Sequence, residues 1–326
     1  MGNYDYSHSY FFKFYKNMFV RKIKSKASGI LLYGITPPKI ETIPEKIVEI
    51  AQRTLNRVAD LDIDALVVYD VQDESSRTTE ERPFPFMGAL DPFHFASEYL
   101  QALPLPKIIY RPAGKFTADE LETWIDSLTT MDFHPIFVGV PSPNFKPKTS
   151  LKEAYEIWNR NDASPIIGAI TIPERHAVLN DEEIRMLDKM ESGVSYFISQ
   201  CIFNVEYAKN VLSSLAAVCA DRQQELPTVI FTLTTCGSAK TLLFMEWLGI
   251  HVPKHSKEKL LASENILEKS KELCLNIAYE LIGFCSALQI PFGFNVESVA
   301  IRKDEIEASI YITNQIAMML REKGLR

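Results

Sequence analysis

Eight short apolar runs, each followed by a stretch with helical periodicity, constrain this chain more than any other feature. The runs are GILLYGI (29–35), ALVVYDV (65–71), KIIYRPA (107–113), PIFVGV (135–140), PIIGAITI (165–172), YFISQCIF (196–203), TVIFTLT (228–234) and FGFNVESV (292–299). Apolar runs without alternation belong to strands buried on both faces, as in a parallel sheet. Eight strand–helix units is the number that closes a barrel, so the expected fold is a single-domain α/β (β/α)8 TIM barrel over residues 29–326. An open doubly wound sheet is the alternative, but it usually divides around a Gly-rich nucleotide turn, and the chain has no GxGxxG.

The helices between the runs announce their starts. Thr42 with Glu45, Thr117 with Glu120, Ser150 with Glu153 and Asn180 with Glu183 stand at capping-box spacing. Behind them Ile47, Val48, Ala51, Leu55 and Val58 fall on one face, as do Leu121, Trp124, Ile125 and Leu128. In 302–322 the expected face is Ile306, Ile310, Thr313, Ala317 and Leu320. The seventh unit is longer than the rest: GSAKTLLFMEWLGI reads as one helix, and 256–288 adds one or two more before the last strand.

Composition excludes some roles. With 46% hydrophobic and 24% charged residues the chain can bury a large core, and its formal charge of −7 argues against nucleic-acid binding by phosphate neutralisation. No apolar run is long enough to span a bilayer. Five cysteines without CxxC or zinc-finger spacing point to reduced thiols and a cytoplasmic location. Residues 1–28 form an N-terminal extension whose stretch 10–26 interleaves aromatics with Lys and Arg. It lacks a signal peptide's cleavage site, and we read it as a cap packed over one end of the fold.

In such a barrel, chemistry sits at the C-terminal ends of the strands. The polar residues there include Tyr69 and Asp70, Arg111, Ser142, the Glu174–His176 group, Gln200, and Asn295 with Glu297. Asn295 and Glu297 share a strand face, which makes Glu297 a candidate acid in the barrel mouth. The charged, proline-containing loop at 70–88 is a candidate lid, although most such loops are solvated connectors. Gly237 and Ser238 open a helix, where free N–H groups attract anions, and the seventh unit of a barrel commonly binds phosphate there. Histidines in the pattern of a zinc site are absent, so no metal is expected.

Together these residues resemble the methylenetetrahydrofolate reductase family. The resemblance lies in YGITPPK (33–39), Tyr69 at the end of the second strand, Pro173-Glu174-x-His176 after the fifth, Lys189 before Glu191 and Gly193, and ISQCIFN with Gln200 in the sixth. It implies FAD at the strand ends, NAD(P)H as electron donor, and reduction of 5,10-methylenetetrahydrofolate to 5-methyltetrahydrofolate. Gln200, Asn295 and Asp70 would then contact folate. Tyr69, Arg111, Ser142, Glu174, His176 and Lys189 would surround the cofactor, and Gln200 and Glu297 would act in catalysis. The resemblance says nothing of oligomeric state, and a homo-oligomer stays open.

The chain also departs from that family. Gly34 stands where the family carries its proton-donating glutamate, Val140, Pro141 and Ser142 replace an Arg-Gly-Asp, and Tyr110 aligns with a histidine. Three readings stay open: a divergent reductase with Glu297 as substitute acid, a flavin-free folate-dependent one-carbon enzyme, and a non-catalytic folate- or ligand-binding relative.

Overall fold

Eight parallel strands close on themselves in sequence order: β1 Ile30–Ile35, β2 Ala65–Val68, β3 Lys107–Pro112, β4 Phe133–Val138, β5 Gly168–Thr171, β6 Tyr196–Cys201, β7 Thr228–Thr234 and β8 Phe292–Glu297. The structure is a computed structural model and describes residues 18–128, 131–140, 145–161 and 166–326. β8 returns to β1 with Ile30 opposite Gly293 and Tyr33 opposite Val296. Alternate residues divide into two cores. Ile30, Leu32, Ala65, Val67, Ile108, Tyr196, Ile198 and Ile230 fill the barrel, while Leu31, Leu66, Ile109, Phe197, Phe231 and Phe294 pack outward under the helices. Both faces are therefore dry, which is why the strands read as unbroken apolar runs.

The N-terminal end of the barrel is closed by α1 (Met18–Lys24). Phe19 is fully buried there, edge-on to Tyr196 at 5.4 Å and against His134 at 5.7 Å. Lys22 and Arg326 both pair with Asp64 at 2.6 Å, and Asp64 also accepts the Leu31 N–H at 2.9 Å. One buried carboxylate thus ties α1, β1 and the last residue together. Residues 18–24 of the extension pack on the barrel, and 1–17 lie outside the described residues.

The outer layer is α2 Pro44–Val58, α3 Pro92–Tyr99, α4 Ala118–Leu128, α5 Leu151–Asn159, α6 Pro173–Leu179, α7 Glu182–Glu191, α8 Val205–Asp221, α9 Ala239–Trp247, α10 Lys254–Leu261, α11 Ile266–Ala287 and α12 Lys303–Glu322. Capping boxes form at Ser150–Glu153 and Thr117–Glu120. The other two do not. Pro44 opens α2 after Ile43, because a proline's fixed φ suits the first helical turn. Asn180, in the left-handed region at φ 52°, instead ends the unexpected short helix α6. Glu183 is used by His176, 2.9 Å from its Nδ1. On α12 the expected Thr313, Ala317 and Leu320 are buried and Ile306 and Ile310 half-buried, but the buried face also takes in Glu305, Ala308, Ser309, Ile312 and Ile316. The reason is polar: Ser309 reaches the Tyr33 hydroxyl at 2.8 Å, and Glu305 is drawn inward by partners on α9 and its approach. Among the described residues no helix is long and apolar enough to cross a membrane.

Candidate functional site

The strands end in a cavity of about 550 Å³ at the C-terminal mouth of the barrel. That is the size range of pockets for drug-sized ligands. Its floor is polar because the apolar inward rows give way there to Tyr69, Tyr110, Cys201, Thr232 and Glu297. Asn295 lies one layer below, fully buried, with Nδ2 donating to the Tyr69 hydroxyl at 2.6 Å and to Thr232 Oγ1 at 3.2 Å.

Glu297 is the centre of this layer. It accepts a hydrogen bond from Cys201 Sγ at 3.1 Å and another from the Tyr69 hydroxyl. Burial pushes its pKa above the ordinary carboxyl value, and the two donors only partly offset that. Tyr69, Tyr110 and Cys201 are pushed well up in turn, first by burial and then by the neighbouring Glu297. Burial thus shifts every titratable group of the layer toward its neutral form, and Glu297 is the one carboxyl among them open to the cavity.

Gly34 explains the placement. A Cβ there would stand 2.7 Å from Tyr69 Cε2, 3.0 Å from the Tyr69 hydroxyl and 3.2 Å from Glu297 Cβ. The absent side chain of β1 leaves the space that Tyr69 and Glu297 fill. Tyr69 is further held by an edge-on contact with Tyr110, centroids 4.7 Å apart.

Gln200 reaches the mouth through an irregularity in β6. Ile198 pairs with Ile230 but Cys201 with Thr232, so β6 carries one extra residue. Ser199 repairs the ladder by accepting the Thr232 N–H at 3.0 Å and donating to the Gln200 carbonyl at 2.7 Å. A bulge of this kind re-aims a side chain at a site. Gln200 lines the cavity with its Nε2 donating to the Leu248 carbonyl at 3.1 Å, which leaves its oxygen as an acceptor.

The other sequence candidates divide. Asp70 and Lys189 line the cavity with Tyr69. Burial raises the Asp70 pKa even though Lys115 Nζ donates to it at 2.6 Å. Lys189 donates to the Ile170 carbonyl at 2.6 Å, and burial lowers its pKa to about 8. Arg111 does not line the cavity. It is buried against Phe116 and Trp124, with its guanidinium on Asp91 at 2.6 Å. His176 is likewise buried away from the cavity lining, on Glu183. Glu174 sits behind the wall, where burial raises its pKa to about 7 against the backbone N–H groups of Glu174 and His251. Ser142 lies outside the described residues.

The anion position at the start of α9 is taken by the protein itself. Ser238 caps the helix, and the fully buried Glu305 carboxylate accepts the Gly237 N–H and the Thr241 hydroxyl, the latter at 3.2 Å. The expected phosphate there is replaced by an internal carboxylate. Among the described residues no group of three or more His, Cys, Asp or Glu is placed to hold a metal ion.

Sequence reasoning did not find Cys201, Thr232 and Arg82 in the wall, and of the Glu174–His176 group it is Arg175 that lines it. Cys201 and Thr232 are unremarkable inside apolar strands, and Arg175 is paired with Glu182 at 2.5 Å. Arg82 stands in the charged 70–88 loop, where nothing local marks it.

No family model and no curated protein matches the chain. Among solved structures, EDTA monooxygenase from Chelativorans sp. BNC1 superposes with a TM-score of 0.54 at 11% identity, over 91% of this chain and 94% of that one, which shows a shared fold alone. An uncharacterized protein from Clostridium thermocellum, described as binding two copies of 5-methyl-5,6,7,8-tetrahydrofolic acid, matches with a TM-score of 0.83 and 41% identity. The match spans 93% of this chain and the whole of the other. At that identity over that length, the chain belongs to the same family as the Clostridium thermocellum protein.

Proposed function

We propose that the barrel mouth binds a reduced folate and that Glu297 gives a proton to the bound pterin ring system. The observation that carries this reading is Glu297 itself: a carboxyl on the cavity floor, its pKa raised by burial and its side chain fixed by Tyr69 and Cys201. Folate chemistry at ring nitrogens needs an acid, and a general acid works best with its pKa raised toward neutrality. Gln200 supplies an acceptor on the same floor. The relative that binds 5-methyltetrahydrofolate supports the ligand class.

We further infer that the folate is held without FAD. A flavin dinucleotide needs cations or free N–H groups for its pyrophosphate. Arg111 is spent on Asp91, His176 on Glu183, and the α9 start on Glu305. Of the five described residues expected around a flavin, Tyr69 and Lys189 line the cavity, while Arg111, Glu174 and His176 do not. The residues that the resemblance assigns to FAD therefore do not assemble a site for it among the described residues. This favours a flavin-free folate-dependent one-carbon enzyme over methylenetetrahydrofolate reductase-like reduction with FAD and NAD(P)H.

The test is an absorbance spectrum of the purified chain with FAD and then NADH, followed by calorimetric titration with 5-methyltetrahydrofolate. The expected result is no retained flavin, saturable folate binding, and a pH dependence of that binding lost in Glu297→Gln. A flavin spectrum bleached by NADH would restore the reductase reading. A wild-type protein that ignores the folate would sink the ligand assignment.

A further inference from the structure

We propose that Arg82 takes the carboxylate of the folate's glutamyl tail. This rests on the folate reading above and extends it from the pterin end of the ligand to the other. Arg82 lies in the connection between β2 and α3. That connection lands on α9, where Trp247 Nε1 donates to the Glu80 carbonyl at 3.1 Å. Phe84 packs edge-on against Phe244, centroids 5.3 Å apart. The Arg82 guanidinium sits over Phe244 at 4.9 Å and Trp247 at 5.2 Å, and it donates to the Phe84 carbonyl at 2.7 Å.

What distinguishes Arg82 from the other cations of the mouth is its unused capacity. Arg175 is paired with Glu182, Lys115 with Asp70, and Lys189 donates to a backbone carbonyl. Arg82 lines the cavity, has no carboxylate within ion-pair distance among the described residues, and buries an Nε–H with no acceptor. A guanidinium stays charged in such surroundings, and with Nη1 held by the Phe84 carbonyl and the plane set over the aromatic rings, the Nε–Nη2 side is left for a bidentate carboxylate. Gln72, on the same loop and in the same wall, buries an Oε1 with no donor.

A reduced folate matches this pair of orphans. Its pterin is uncharged and rich in N–H groups, which suits the floor of Glu297 and Gln200. Its tail carries carboxylates and one amide N–H, the complements of Arg82 and Gln72. The loop thus acts as a tail clamp pinned to an aromatic platform, and the ligand class is folates bearing glutamate, not free pterins.

The experiment compares 5-methyltetrahydrofolate with tail-less 6-methyltetrahydropterin, by calorimetry on the full chain. Arg82→Ala is expected to weaken folate binding roughly tenfold to a hundredfold, the worth of a charge-assisted hydrogen-bond pair, and to leave the pterin unchanged. Arg82→Lys should recover part of the loss. Equal folate affinity in Arg82→Ala, equal loss of both ligands, or a tail-selective loss in Lys189→Met in place of Arg82→Ala would each overturn the clamp. Wild-type protein that binds neither ligand would overturn the folate reading itself, and the clamp with it.

Discussion

The contact between Gly34 and Tyr69 allows a sharp test, because it predicts coupling and not merely damage. In Gly34→Ala the new Cβ would meet Tyr69 Cε2 at 2.7 Å and its hydroxyl at 3.0 Å. Tyr69 must then turn, and its hydroxyl leaves Asn295 Nδ2, now 2.6 Å away. Overpacking of this kind costs about 1–3 kcal/mol, and the lost hydrogen bond about 1 more. Against that, replacing glycine removes unfolded-state freedom, a gain of about 0.4–1 kcal/mol. The net expectation is a loss of about 1–3 kcal/mol in urea-unfolding free energy. Tyr69→Ala removes the obstacle at its own cost of about 2–4 kcal/mol, since the ring is only partly buried. In the double variant Gly34→Ala should then cost nothing or slightly stabilise, a coupling of about 2 kcal/mol. Additivity of the two single changes within about 0.5 kcal/mol would refute the argument that Gly34 exists to admit Tyr69.

Three further outcomes follow from the charges. The Glu174 pKa is raised from 4.5 to about 7, so the folded state holds a proton that the unfolded chain has lost. Stability should fall as pH rises through that window by on the order of 2–3 kcal/mol, and Glu174→Gln should flatten the fall in urea melts taken from pH 4.5 to 7.5. Burial lowers Lys107 and Lys189 from 10.5 to about 8, the opposite sign, since the unfolded chain binds the extra proton. Stability should rise between those values, with Lys107→Met and Lys189→Met each removing part of the rise. Inorganic phosphate should not shift the melting temperature of the wild type, whose α9 start already holds Glu305, but should raise that of Glu305→Ala.

The fold was legible because a parallel barrel strand is apolar on both faces, and each of the eight runs carries that mark. The helix starts were half legible. Ser150–Glu153 and Thr117–Glu120 cap as their spacing says. Asn180–Glu183 has the same spacing, but a tertiary partner, His176, takes the glutamate. The site followed the same division. Glu297 and Gln200 show as polar breaks at the ends of apolar strands. Arg111 is an identical break in the sequence, and only the fold reveals that Asp91 has already claimed it. Arg82 was invisible for another reason: its platform, Phe244 and Trp247, lies far along the chain, and the Trp247–Glu80 bond joins residues 167 positions apart.

In the proposed reading, the acid that the family resemblance would place at position 34 is carried instead by Glu297 on the neighbouring strand. Neighbouring strands of a sheet lie about 4.8 Å apart, less than the reach of a glutamate side chain. Tyr33 is paired with Val296, so the next inward positions on β1 and β8 are Gly34 and Glu297, side by side. A carboxyl launched from either can occupy one volume at the centre of the mouth, but not both at once without two buried charges repelling. Emptying position 34 also admits the Tyr69 ring, and that ring gives the displaced carboxyl a donor it would otherwise lack. In the proposed reading, glycine, tyrosine and glutamate are therefore one device. Restoring glutamate at position 34 would not restore a reductase-like site, because it would evict the ring that holds Glu297 in place.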